Sequence, residues 1–592
     1  MERMAKDFGE LKFFCDFGVN AEYNKQTDDD GTVRHNIRLS WKKGDVKPEY
    51  RFTARLSLEM MSGKYLWYPC AGMNKNMATI WRNEGRFSTT LATACPAVCV
   101  LDDDGNAVHT VWASEISRRI NINSGSEEEI DGRFTFEVSV QFSELMTLED
   151  YSITISENSV KRPFGDSLDA VRLDWEKSRG IEPLEVPEIA RMPMYSTWYS
   201  YHQDINDKNV EHECKNAAAL GMDSVIVDDG WQLVGNMRGY AYTGDWNVSE
   251  EKFPDFAKHV ENVHKLGMKY ILWFGVPFAG YNSELFKKFS DKVLCMRDDL
   301  KAAILDPRYK EVRKCITDKY VYFAENYKLD GFKLDFIDSF CSFPETPFKE
   351  GMDIANVSDA LENLMTGVKD ALQSINPDVM IEFRQSYTGP VIRRFGNMLR
   401  VADCPHDGVT NRVGIADIRV ISGQSAVHSD MIMWDKHCGV KDAAWQILNS
   451  IFGVIQYSMR IDDLPDDHKA MSKFWLKFAR DNAKTLQCGK FEAHEPQYAY
   501  PVIRSYDENN SVTAVYTKNK IIDTKISGSV KLINASPDAR LVLNVENAAM
   551  GEMKIYDCTG KLVRDITEKF LPGIKTIDVP VCGLVSIDAA KA

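Results

Sequence analysis

Hydrophobic and polar positions change period twice along the chain. From the start to about residue 185 they alternate one by one: Phe134, Phe136, Val138, Val140 and Phe142 are separated by Thr135, Glu137, Ser139 and Gln141. A period of two puts one face of an extended strand in a core and the other in water. Asp30-Gly31 and Asp104-Gly105 fall between such runs, and Asp-Gly supplies the positive φ that tight hairpin turns need. Repeated hairpins predict an antiparallel sandwich over residues 1–186.

After Pro187 short apolar runs alternate with helical patterns. Val210, Cys214, Ala217 and Ala218 share one helix face with Gly221 as its stop, and Phe256, Val260 and Val263 precede Gly267 in the same way. Val312, Ile316, Tyr320, Phe323 and Tyr327 form a third stripe; Leu361, Leu364, Val368 and Leu372 form a fourth. Eight candidate strands lie near 194–199, 223–229, 269–275, 330–336, 379–384, 398–404, 425–434 and 454–460. This alternation predicts a (β/α)8 TIM barrel over 187–488, with a doubly wound sheet as the competing reading, because periodicity alone does not show closure. Over 489–592 the period of two returns, with Leu541, Leu543 and Val545 on one side and Asp557-Cys558-Thr559-Gly560 as a turn. The expected class is multidomain α/β: a central barrel flanked by an N-terminal β sandwich and a small C-terminal β sandwich.

Composition narrows the setting. The 592 residues carry 72 Lys+Arg against 87 Asp+Glu, a formal charge of −15. That balance argues against a nucleic-acid partner or a polybasic membrane anchor. No apolar run approaches the roughly 18 residues of a membrane span, and residues 1–7 show no apolar leader core. Thirteen scattered Cys read as reduced thiols rather than a disulfide framework. The expectation is a soluble cytoplasmic protein.

Barrel enzymes place reactive groups at the C-terminal ends of their strands. Val225-Ile226-Val227 runs into Asp228-Asp229-Gly230-Trp231, and Gly331-Phe332-Lys333-Leu334-Asp335 carries Lys333 and Asp335 two apart, on one face of a strand. Alone, that pair is better read as a buried structural ion pair. It has company: Glu382 and Arg384, then Arg400 and Asp403, then His428 and Asp430 follow on the next strands, with Trp198, Trp231 and Trp273 as aromatics. Carboxylates for hydroxyls and aromatic faces for C–H surfaces make a sugar site.

Two carboxyl groups can cleave a glycosidic bond without cofactor or metal, one attacking the anomeric carbon and the other protonating the leaving oxygen. The attacker must be ionised, which favours Asp335 beside Lys333; the acid should lie away from that lysine, which favours Asp403, with Asp407 as fallback. Arg400 complicates this assignment unless it is directed elsewhere. No H-E-x-x-H motif and no phosphate-cradling Gly-rich loop is present. Lysine and arginine among the carboxylates argue against a hard cation. Asp245 is read as reaching substrate or capping a turn, and Arg393 and Arg394 as binding an anionic sugar group, neutralising nearby carboxylates or facing solvent.

Asp228-Asp229-Gly230-Trp231-Gln232, Gly244-Asp245-Trp246, Phe253-Pro254 and Gly267-Met268-Lys269 leading to Trp273 resemble glycoside hydrolase family 36, which contains α-galactosidases and raffinose-synthase relatives. Trp198-Tyr199-Ser200-Tyr201 resembles it too. The resemblance implies an exo-acting retaining α-glycosidase, with the Lys-x-Asp aspartate as nucleophile (Asp335) and the aspartate closing the sixth strand after an arginine as acid/base (Asp403). It implies that Asp228, Asp229 and Lys333 contact sugar; the barrel-mouth reading adds Trp198, Trp231, Trp273, Arg384, Arg400, His428 and Asp430 as further expected substrate contacts. It also implies a homo-oligomer in which Trp67 and Tyr68 reach a neighbour's site. The segment Ile381–Gly389 stands where the family carries Cys-Ser-Gly-Gly-Gly, and Gly275-Val276-Pro277-Phe278 replaces an expected Pro-Glu. Arg384, Gly389, His428 and Asp430 look more like glycoside hydrolase family 31. These departures bear on which sugar is taken. The substrate expected is an oligosaccharide or small α-glycoside; alternatives are a transglycosylase, an α-glycosidase for another, anionic sugar, and a non-catalytic carbohydrate-binding protein.

Overall fold

The computed structural model describes residues 3–590 apart from 17, 43, 45, 61, 83–84, 129–131, 147, 233–238, 343–345 and 385–386. Its centre is a ring of eight parallel strands: β1 (Met194–Ser196), β2 (Ser224–Val227), β3 (Lys269–Gly275), β4 (Gly331–Asp335), β5 (Met380–Phe383), β6 (Met398–Arg400), β7 (Ala426–His428) and β8 (Gln456–Tyr457). Each of β1 to β6 pairs with the next, and β8 pairs with β1. Parallel bridges His428–Val454 and Ile432–Tyr457 span the gap between β7 and β8. The competing doubly wound sheet is therefore excluded.

The four helical stripes form α-helices at Asp207–Ala219, Phe256–Lys265, Lys310–Tyr327 and Val357–Ile375. Inside the ring, Met194, Ile226, Ile271, Met380, Met398, Ala426 and Val454 make an apolar floor. A rung higher the inward residues turn polar: Trp273 registers with Lys333, Lys333 with Glu382, and Arg400 with His428. Polar groups at that depth must find partners inside the ring.

Two antiparallel sheets precede the barrel, of six and seven strands. Asp30-Gly31 and Asp104-Gly105 make the expected turns, with Gly31 at φ +83 and Gly105 at φ +77. Along Phe134–Gln141 the polar side is less open than alternation predicts. Thr135 is fully buried, its hydroxyl donating to Glu127, and Glu137 pairs with Arg55 at 2.5 Å. The period of two also fails before residue 185, because Phe164–Arg179 is an α-helix with Phe164, Leu168, Val171 and Trp175 buried. Those spacings of four, three and four are the signal that alternation upstream obscured.

That helix occupies an unusual place. Among the described residues, β5 and β6 are joined by a 3₁₀ turn, Val391–Arg394, and no α-helix. Leu168, Val171 and Trp175 belong to an apolar cluster that runs from the sandwich into the barrel, and Trp175 Nε1 donates to the Ala113 carbonyl of the sandwich at 2.9 Å. Arg393 donates to Glu176 at 2.7 Å, and the Leu184 N–H donates to the Arg393 carbonyl at 2.7 Å. The helix thus lies on the sandwich and meets the β5–β6 connection through Glu176 and Arg393.

Beyond the barrel, sheets of seven and three strands follow from Lys490 onward. One buried carboxylate ties the regions together: Asp417, in the helix Gly408–Arg419, accepts from Trp67 Nε1 at 2.8 Å, Lys75 Nζ at 3.1 Å and the Tyr500 hydroxyl. Trp67 is therefore an internal tie rather than an exposed aromatic, while Tyr68 stacks on Phe87 with centroids 5.5 Å apart. Among the described residues no helix is long and apolar enough to cross a membrane.

Glu144 marks another contact between sandwich and barrel. Its carbonyl accepts from Asn356 Nδ2 at 3.0 Å, and Asn356 caps the helix Val357–Ile375. Burial pushes the Glu144 carboxyl up to about 7, only partly offset by Asn356, Ser342, Arg118 and Arg119. An unfolded glutamate titrates near ~4.3. Between those values the folded chain holds more protons, so stability falls as pH rises through that window, and the full cost is present above it. Glu144→Gln is expected to match the parent near pH 4.5 and to exceed it at pH 8 by up to ~3 kcal/mol. Denaturant midpoints at the two pH values check this; equal midpoints at pH 8 would refute it.

Candidate active site

The C-terminal ends of β4, β5 and β6 converge on one cluster. Asp335, the last residue of β4, is buried and fully engaged. It accepts from Trp273 Nε1 at 2.8 Å and from the Phe336 N–H at 2.7 Å, and pairs with Arg384 Nε at 2.5 Å. The next residue, Phe336, lies in the left-handed region at φ +63. A bulky residue is rarely held there, and such strain concentrates at functional sites. Arg384 stacks on the Phe336 ring, its Cζ 4.2 Å from the centroid, and its Nη1 reaches within 3.9 Å of Asp403.

Asp403 follows β6 with its side chain 44% exposed, the open position an acid needs to meet a leaving group. Arg400 forks beneath it, donating one amino group to Asp403 at 2.6 Å and the other to buried Asp430. Asp430 also accepts from the Cys404 N–H at 2.7 Å and the Tyr199 hydroxyl at 2.9 Å. It therefore anchors the loop carrying Asp403 rather than presenting a free carboxylate.

Lys333 pairs with Asp228 at 2.5 Å. The cation in contact with Asp335 is therefore Arg384, not the lysine two residues away. Asp228 also accepts from the Asp229 N–H at 2.9 Å, and Asp229 is gripped by the amides of Gln203 and Gln232, each at 2.7 Å. Burial pushes Asp229 up to about 6 against those two bonds. Gly230 is required here: its φ is +117, and a Cβ would come within 2.6 Å of the Gln203 backbone.

Burial raises the Asp335 carboxyl above its ordinary value, with Arg384 and Lys333 pulling back. Burial also opposes ionisation of Asp403, but Arg400 and Arg384 outweigh it and hold Asp403 low. This order reverses the expectation of a low nucleophile and a high acid. The physical reason is that Asp335 is wholly buried, so desolvation outweighs Arg384 and Lys333, whereas Asp403 is partly exposed and has Arg400 at 2.6 Å.

Several expected contacts are displaced from the mouth. Trp231 is fully buried against Trp246, Phe274 and Phe323 and donates its Nε1 to the Trp273 carbonyl at 2.9 Å. It supports Trp273 from behind and cannot touch substrate. His428 points down the ring, bonded through Nε2 to the Ala190 carbonyl at 2.9 Å and through Nδ1 to Gln456 at 3.3 Å. Burial depresses it to about 3, so it is neutral. Glu382 lies in the same layer, accepting from Gln456. Trp198 opens the short helix Trp198–Tyr201 after β1 instead of lying on the strand, half-buried against His202.

Asp245 caps, accepting from the Glu284 and Leu285 N–H groups, and Asp407 is the N-cap of Gly408–Arg419 through Thr410. Arg393 pairs with Glu176 and Arg394 with Glu362, both off the cluster. Gln385 and Ser386 lie outside the described residues. Sequence reasoning missed Tyr240, which stacks over Trp273 at 6.3 Å and meets Phe336 at 5.3 Å. It stands in the long β2–β3 connection, where no periodicity marks it. A groove of about 860 Å³ lined by Trp246, Phe256 and Tyr322 lies on the outer barrel wall and shares none of these carboxylates.

Residues 187–384 match the family model described as Melibiase. The bifunctional α-galactosidase/sucrose kinase AgaSK of Mediterraneibacter gnavus is 30% identical over 156 residues, 25% of this chain and 16% of that protein. The α-galactosidase Mel36A of Lactobacillus acidophilus is 26% identical over 201 residues, 32% of this chain and 27% of that protein. The matched segments thus span under a third of those curated relatives. Fold similarity extends much further. A variant of the GH36 α-galactosidase AgaA from Geobacillus stearothermophilus, solved with raffinose, superposes with TM-score 0.65 at 14% identity over 98% of this chain and 83% of that one. The galactosidase domain of AgaSK does so with TM-score 0.62 at 14% identity, over 100% and 83%.

Proposed function

From kinship with glycoside hydrolase family 36, seen in the barrel sequence and in the fold of the whole chain, we propose an α-galactosidase-like glycosidase that hydrolyses terminal α-linked sugars by double displacement. Asp335 is the nucleophile and Asp403 the acid/base. The observation that carries this reading is the meeting of these two carboxylates across a single guanidinium at the barrel mouth. Asp335 attacks the anomeric carbon while Asp403 gives its proton to the leaving oxygen; Asp403 then takes a proton from water, which releases the sugar from Asp335. Trp273, through its N–H on one oxygen of Asp335, fixes the orientation of the carboxylate. Tyr240, Phe336 and Trp198 supply aromatic surface for the ring.

Charge pairing favours a neutral glycone. Lys333 is matched by Asp228, Arg400 by Asp430 and Asp403, and Arg384 by Asp335. An anionic substituent would have to compete with a carboxylate for each of these cations. Hydrolysis of a panel of aryl α-glycosides holding galactoside, glucoside, xyloside and one uronide tests the reading. Turnover of a neutral member is expected; a purified, folded protein that turns over none would overturn it.

The acid role has a separate signature. Asp403→Ala is expected to lose about 10²–10⁴-fold in kcat/KM on glycosides with poor leaving groups. It should lose far less on dinitrophenyl glycosides, which leave without a proton. Equal losses on both would reject Asp403 as the acid.

A further inference from the structure

We propose that Arg384 is a positioning residue that holds, in the free enzyme, the place of the positive charge developing between Asp335 and Asp403, and that a bound glycone displaces it. The inference rests on the reading of those carboxylates given above. Its geometry is specific. The guanidinium contacts Asp335 through Nε at 2.5 Å and lies 3.9 Å from Asp403 through Nη1. Both carboxylates therefore face one planar cation in the space where an anomeric carbon and its leaving oxygen must sit. The guanidinium rests on the Phe336 ring at 4.2 Å, and that ring is braced by Phe278 at 4.7 Å and Tyr240 at 5.3 Å. A flat aromatic platform lets a guanidinium slide while keeping its stacking.

An oxocarbenium-like transition state is positive in the same gap, and two cations cannot share it. Displacement also answers the reversed ionisation of the free site. Asp403 is held low by Arg400 and Arg384 together, while Arg400 is shared with Asp430. Moving Arg384 aside takes one of the nearby cations from Asp403 and so shifts it toward its protonated form, the form that serves the leaving oxygen. Asp335 retains the N–H groups of Trp273 and Phe336.

The test compares the parent with Arg384→Met and Arg384→Gln, two uncharged replacements so that one folding failure does not decide the matter. Calorimetry gives Kd for 1-deoxygalactonojirimycin, a cationic ring, and for neutral galactose; the gluco pair replaces them if the parent hydrolyses glucosides instead. The amine is expected to gain at least tenfold over the neutral sugar in either variant relative to the parent. The acid limb of kcat/KM against pH should move upward by about one unit, because Asp335 has lost its contacting cation. A folded variant with unchanged selectivity and an unchanged acid limb overturns the inference while leaving the glycosidase reading intact. Equal weakening of both ligands also overturns it, since Arg384 would then be holding the sugar. A parent that neither hydrolyses glycosides nor binds either ring overturns both.

Discussion

Asp335→Ala is expected to lower kcat by about 10⁴–10⁶-fold on every glycoside the parent hydrolyses, as loss of a covalent nucleophile does elsewhere. The size follows from how completely the surroundings are built around this carboxylate. An indole N–H, a backbone N–H and a guanidinium all converge on it, and the residue after it is held at a strained φ to present that N–H. None of these groups can attack carbon, so nothing nearby replaces the lost oxygen. Alanine also leaves a space that a small anion can enter. Added azide should restore turnover of activated substrates and give a glycosyl azide of inverted configuration, identified by NMR. Full activity in the variant, or rescue without a glycosyl azide, would refute the assignment. A histidine-tagged parent and variant with matching circular dichroism suffice for the comparison.

Asp417→Ala is expected to be the most destabilising single change outside the site, costing about 3–5 kcal/mol. Asp417 accepts from an indole, an ammonium and a phenol contributed by segments some 350 and 80 residues away. Lys75 is the expensive partner: only 2% of it is exposed, and removal of Asp417 leaves its charge buried without a counter-ion. Asp417→Asn should cost less, because it keeps an acceptor for Trp67 and Tyr500. Lys75→Met on top of Asp417→Ala should recover part of the loss, since the stranded charge is gone. Urea unfolding of the three variants checks the order. A loss within ~0.5 kcal/mol for Asp417→Ala would show the cluster to be solvated enough to reorganise.

Much of this was legible because barrel strands are short, apolar and end in polar residues. All eight strands follow from short apolar runs and the four helical stripes from a period of 3.6, and Asp335 and Asp403 stand out as carboxylates at or just beyond strand ends. Pairing was not legible. A spacing of two places Lys333 and Asp335 on one face, yet which neighbour each meets depends on the adjacent strand; Asp228 on β2's end takes the lysine, and Arg384 beyond β5 takes the aspartate. His428 and Asp430 share a spacing but not an environment, because β7 ends at His428 and Asp430 belongs to the loop. Trp231 follows a catalytic-looking motif, yet the chain turns it into the aromatic core. The helix at 164–179 was hidden by the strength of the alternation before it.

That helix bears on the order in which the protein assembles. Its residues leave the ribosome before any barrel strand does, so the partner of Arg393 in the β5–β6 connection is present while the barrel is being made. The Glu176–Arg393 bond ties the two parts together across a long sequence separation, and contacts of that kind slow folding. It also means that the stretch from 187 onward, expressed by itself, would lack the Glu176 carboxylate that pairs with Arg393, whose side chain is buried.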